Sequence, residues 1–131
     1  MARVPGVPLA EALANGADPR RLAEAVAALV ARIHAAGVYP GDLHEGNVLV
    51  TEDGALGLID PDQLRPARFV SRRRRVRNLE RLWRDFPSLP RWTALRAMVR
   101  YAGSAAAARP LCRAVAARAE AKRLQYGLPP R

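Results

Sequence analysis

The chain has 131 residues, half of them apolar and 26% charged, which suits one domain with a real core. A single cysteine, Cys112, excludes an internal disulfide and a cysteine metal cluster, and no apolar run approaches the roughly 18 residues that span a bilayer. The net charge of +10 is uneven: residues 1–64 hold four Arg against nine Asp and Glu, a net of −5, whereas residues 65–131 hold seventeen Arg and Lys122 against three acids, a net of +15. Such a basic half implies an anionic partner: a phosphate-rich glycolipid, a membrane surface or nucleic acid.

Residues 1–17 form a lead-in without a secretory signal pattern, so a cytoplasmic protein is expected. Asp18-Pro19 starts a helix, with Asp18 as N-cap and Pro19 in the first helical position. Leu22, Val26, Leu29 and Ile33 recur at helical spacing, and Gly37 stops the helix after about Ala36. An irregular stretch, Tyr39 to Gly46, follows. Asn47 to Thr51 is a strand, Glu52-Asp53-Gly54 a hairpin turn, and Leu56 to Ile59 the return strand, ending at Asp60. Beyond it, Val76, Leu79, Trp83 and Phe86 line one face of a helix that Pro87 and Pro90 break. Trp92, Leu95, Met98 and Val99 mark another, and Ala105 to about Leu124 holds one or two more, with Pro110 as a start. The expected fold is mainly α with a small β-hairpin. Residues 18–62 carry the helix, the polar loop and the hairpin, and residues 63–131 a basic helical remainder.

The loop Pro40-Gly41-Asp42-Leu43-His44-Glu45-Gly46-Asn47 carries the chemistry. Asp42 and Asn47 are five apart, and Asp60 comes thirteen residues after Asn47. A hairpin brings the start of its first strand near the end of its second, so Asn47 and Asp60 can converge. Oxygen ligands from Asn and Asp suit a hard cation such as magnesium. A separate Asp suits orienting a hydroxyl and taking its proton. Together these are the parts of phosphoryl transfer.

These residues resemble the protein kinase-like phosphotransferases, whose catalytic loop places an Asp five residues before an Asn and whose second metal-binding Asp follows on a short hairpin. The wording "IHAAGVYPGDLHEGNVLVTEDGALGLIDPD" is similar to the bacterial kinases that phosphorylate lipopolysaccharide core sugars, Kdo (3-deoxy-D-manno-octulosonic acid) and heptose. Asn78-Leu79-Glu80-Arg81-Leu82 after an Arg-rich segment fits the same family. The resemblance implies a kinase-like C-terminal lobe and ATP- and magnesium- (or manganese-) dependent transfer to a sugar hydroxyl of the core glycolipid, at the inner membrane surface. It implies roles for Asp42 in positioning the acceptor, for His44 facing the transferred phosphate, and for Asn47 and Asp60 in holding the metal and so the nucleotide.

This sequence departs from the family pattern in places. Pro40 stands where a bracing His is usual, and Pro61 stands where an aromatic follows the metal Asp. Asp62 takes the usual Gly place. Arg3 to Leu9 looks like the hinge, so an N-terminal β lobe with its glycine-rich loop and lysine is expected to be missing or separate. The chain alone is then an incomplete or inactive kinase, with an exposed apolar patch at Val4 to Leu9 and the hairpin. The alternative is a non-catalytic, pseudokinase-like basic module for anionic lipid or nucleic acid. Aminoglycoside- or choline-like and protein kinases share a similar loop.

Other residues have plainer readings beside functional ones. Arg72, Arg73, Arg74, Arg75 and Arg77 form either a solvated helix start or a platform for phosphorylated glycolipid or bilayer headgroups. Nucleic acid fits less well, because aromatics are few and no helix-turn-helix or zinc pattern accompanies the run. His44 is otherwise a loop hydrogen-bonding residue. His34 reads as a satisfied structural histidine, without a His, Cys or carboxylate companion at metal spacing, Cys112 as a small buried residue, and Trp83 and Trp92 as core.

Overall fold

The computed structural model describes residues 6–41, 43–44, 47–51, 55–58, 64–66, 68–85 and 89–127. Their order is β1 (Val7–Pro8), α1 (Leu9–Ala14), α2 (Pro19–Ala35), β2 (Val38–Pro40), β3 (Val48–Val50), β4 (Leu56–Leu58), β5 (Leu64–Pro66), α3 (Arg72–Asp85), α4 (Arg91–Ala102) and α5 (Ala105–Tyr126). The fold is mainly helical with a small antiparallel sheet of order β1-β3-β4, plus a separate two-stranded ladder of β2 and β5. Tyr39 and Pro40, expected to be irregular, are thus extended and paired.

The start of α2 is set by local chemistry. Asp18 accepts the Arg20 backbone N–H at 3.0 Å, and Pro19 occupies the first turn, where its missing N–H leaves no intrahelical bond unmade. Gly37, at φ 75°, ends it; a glycine takes that left-handed conformation without a Cβ penalty. The buried stripe is Leu22, Val26, Val30 and His34, flanked by Ala23 and Ala27. Leu29 and Ile33, expected on the same face as Leu22 and Val26, lie half-buried at its edge. The four-residue spacing wins because α2 packs along α4, and a histidine thereby takes the last core position.

The helices close one core that contains Leu22, Val26, Val30, Val76, Leu79, Leu82, Tyr101 and Val115. Here α2 packs on α4, α3 on α5, and α4 on α5. α3 also buries two polar side chains completely, Asn78 and Glu80. Glu80 is paired with Arg84 at 2.8 Å and with Arg118 of α5 at 3.6 Å. α5 is one helix: Ser104 caps it by accepting from the Ala107 N–H at 3.1 Å. Pro110, expected as a start, lies inside the second turn and removes one backbone donor. Gly127, in the left-handed conformation, ends α5.

Two expectations about apolar exposure are corrected. Trp92 is not core: it is 77% exposed, while Trp83 is half-buried against the core. Near the lead-in and hairpin, Leu9 is buried and Val7, Val50, Leu56 and Leu58 pack partly against the core, because β1 pairs with β3 at Val7↔Val50 and Pro8↔Leu49. The exposed large apolar side chains lie instead on α4 and α5 and at Phe69. Val4, Phe86, Pro87 and the turn Glu52–Gly54 lie outside the described residues.

Candidate active site

In sequence, residues 41–47 connect two antiparallel ladders. β2 pairs with β5 up to Pro40↔Leu64, and β3 pairs with β4 from Val48↔Leu58. Two connections therefore join the same pair of ladder ends, residues 41–47 and residues 59–63. Asp42, His44 and Asn47 belong to the first connection and Asp60 to the second. Leu43 anchors the loop in the core at 2% exposure. The Asn47 N–H donates to the His44 carbonyl at 3.0 Å, closing a turn immediately before β3. His44 and Asn47, both half-buried, are thus brought together. Asp42, Asp60, Pro61 and Asp62 lie outside the described residues.

A chain of buried and part-buried hydrogen bonds through α2, α3 and α4 reaches Pro40 of β2, where this loop begins. The Asn78 amide nitrogen donates to the Pro40 carbonyl at 3.0 Å. That carbonyl can only accept, so the amide cannot be flipped, and Asn78 Oδ1 must face His34 Nε2, 2.8 Å away. Nε2 therefore carries the proton, and Nδ1 accepts from the Tyr101 hydroxyl at 2.6 Å. The Tyr101 oxygen in turn accepts from Arg75 at 3.1 Å, and Arg75 Nε donates to the Val70 carbonyl at 2.9 Å. Each donor has one acceptor, in a single direction from α3 through α4 and α2 and back to the loop.

The electrostatics agree with this neutral imidazole. Burial holds the His34 pKa below its usual value of 6.5; the Asn78 hydrogen bond opposes this, and the Arg75 charge adds to the depression. Burial raises the Tyr101 pKa, against the stabilising effect of Arg75 on the phenolate. The satisfied structural histidine expected from the sequence is what is found. The hydrogen bond at position 40 uses the backbone carbonyl, which Pro40 supplies as any residue would.

The Arg run divides. It opens α3, where Ser71 Oγ accepts the Arg74 N–H at 3.3 Å. Arg72 donates to the Pro110 carbonyl at 3.2 Å, and Arg74 lies over the Tyr39 ring at 4.9 Å. Arg75 turns inward to Tyr101, so it is a brace and not part of an outer platform. Arg73 and Arg77 are exposed. The sequence reading missed Tyr101 altogether and noted Asn78 without its role. The usable signal for both was His34, on the stripe with Leu22, Val26 and Val30 and in need of two partners.

Among the described residues no cluster of three or more His, Cys, Asp or Glu could hold a metal ion. The amide oxygen of Asn47 with a carboxylate at Asp60 is the donor chemistry that suits magnesium. An apolar cavity of about 1000 Å³ lies elsewhere, between α2, α3, α4 and α5, lined by Val26, Val30, Leu82, Trp83 and Met98 among others. Cys112 is half-buried at its wall, and burial raises its thiol pKa. No described helix is long and apolar enough to cross a membrane.

A model of the lipopolysaccharide kinase (Kdo/WaaP) family matches residues 7–100. The chain belongs to that family, which is protein kinase-like and whose members use ATP; its lineage is that of a phosphotransferase. No curated protein matches the chain.

Proposed function

We propose that this chain is the catalytic C-terminal lobe of a kinase that transfers the γ-phosphate of ATP to a sugar hydroxyl of the lipopolysaccharide core. The observation that carries this reading is the frame of the loop: the segment with Asp42 and Asn47 and the segment with Asp60 bridge the same two ladder ends. Asp42 orients the acceptor hydroxyl and takes its proton as the oxygen bonds to the γ-phosphorus and ADP leaves. His44 faces the transferred phosphate. Asn47 and Asp60 hold magnesium, or manganese, which when bound neutralises phosphate charge. The proton moves to a carboxylate whose loop is braced at Pro40, and a positioned acceptor contributes most where a loose transition state needs little covalent help.

The rival reading is a basic binding module, and Arg73 and Arg77, exposed at the start of α3, favour it. The deciding experiment follows labelled γ-phosphate into core glycolipid with magnesium, for the chain alone and with a glycine-rich nucleotide-binding lobe supplied in trans. Asp42→Ala should abolish transfer while circular dichroism stays unchanged. Transfer that survives Asp42→Ala, or no transfer in either arm, overturns the proposal and leaves the binding module.

A further inference from the structure

We infer that the outer face of α4 is a seat on an anionic lipid surface. At about 100° per residue, Thr93, Ala94, Ala97, Met98 and Tyr101 fall on one arc of α4, and these are the buried or half-buried ones. The opposite arc is centred on Trp92 and Val99, with Leu95 beside them. They are 77%, 38% and 36% exposed. Arg96 and Arg100 edge this stripe on one side and Arg91 on the other, all three exposed. α4 contains no acidic residue. A water-facing helix arc is ordinarily polar. An apolar stripe with a tryptophan at its centre, bordered only by arginine, is the pattern of a helix lying in a bilayer interface, with its rings among acyl chains and its guanidinium groups at phosphates.

Charge complementarity selects the occupant. The acids that could answer α4 from its own half are few, Glu80, Asp85 and Glu120. Glu80 is buried between Arg84 and Arg118, and Glu120 is paired with Arg123. A second copy docked symmetrically through α4 would bring the same uncompensated charge against itself. Nucleic acid would satisfy the arginines and one stacked indole but gives Leu95 and Val99 nothing to enter. A phosphate-rich bilayer satisfies both. The Arg75–Tyr101 bond ties the first turn of α3 to the buried arc of the last turn of α4, which fixes how the outer arc is presented. The inference borrows from the proposed function only the idea of a lipid-borne acceptor. Vesicle binding needs no turnover, so the two fail separately.

The test is cosedimentation of the full chain with phosphatidylglycerol-containing vesicles and with pure phosphatidylcholine vesicles, read alongside tryptophan emission. The anionic vesicles should bind the protein, shift its emission to the blue, and quench it when the acyl chains are brominated. Trp92→Phe should retain binding and lose most of the quenching, leaving the background of Trp83. Trp92→Ala, and separately Arg96→Glu with Arg100→Glu, should weaken binding by about tenfold or more, with unchanged thermal midpoints because these side chains are exposed. Binding that is indifferent to both variants overturns the inference. So does stronger Trp92 quenching by nucleic acid than by vesicles, or a dimer that Trp92→Ala dissociates without any vesicle binding.

Discussion

The Asn78 amide and the Pro40 carbonyl, 3.0 Å apart, tie α3 to the chain two residues before Asp42. Asn78 is 2% exposed, so water cannot replace either of its bonds. Asn78→Ala leaves the Pro40 carbonyl and the His34 Nε2–H unsatisfied. At about 1–3 kcal/mol for each of the two buried orphans, unfolding free energy should fall by roughly 2–6 kcal/mol. Asn78→Asp should not restore it, because a carboxylate accepts from His34 but cannot donate to Pro40. Urea titration of the three proteins checks this.

The tautomer of His34 makes stability depend on pH. A proton on Nδ1 would face the Tyr101 hydroxyl, whose oxygen already accepts from Arg75, and would leave the hydroxyl hydrogen without an acceptor. The folded-state pKa is depressed below 6.5, so above pH 6.5 the imidazole is neutral in both states and the network contributes fully. As pH falls below 6.5 the unfolded chain takes up a proton that the folded one resists, and stability declines until the lower folded pKa is reached. Thermal midpoints measured from pH 8 to pH 5 should show the decline, and His34→Gln should flatten it.

Glu80, fully buried, pairs within α3 with Arg84 at 2.8 Å and joins α3 to α5 through Arg118 at 3.6 Å. Glu80→Ala removes the counter-charge these two share. Breaking a buried pair from one side costs on the order of 3–5 kcal/mol, lowered here because both arginines reach partly into solvent. A fall in midpoint that Glu80→Gln only partly recovers is the expected result by calorimetry.

Neighbouring arginines of α3 should behave differently. Arg75→Ala breaks bonds to Val70 and Tyr101 and should destabilise by about 1–3 kcal/mol. Arg73→Ala, at an exposed position, should leave stability within about 0.5 kcal/mol of the parent. Chemical denaturation of the two single variants separates brace from surface.

The sequence alone was enough for whatever depends on neighbours within a few residues. The Asp18-Pro19 start and Gly37 stop of α2 rest on local caps and on glycine's freedom at positive φ. The hairpin rests on alternation about a turn, and its strands pair as Val48↔Leu58 and Val50↔Leu56. The loop motif pointed to the family that residues 7–100 match. Tertiary packing decided the rest. Periodicity marks a helix's apolar residues but not which of them face a neighbour, so Trp92 could stand outside while His34 closed a core stripe. The β2–β5 ladder joins residues 38–40 to 64–66, a pairing across the whole hairpin that no short window contains. Arg75 looks like its neighbours in the run, and only the approach of Tyr101 from α4 turns it inward, because a buried hydroxyl beside a neutral imidazole needs a donor.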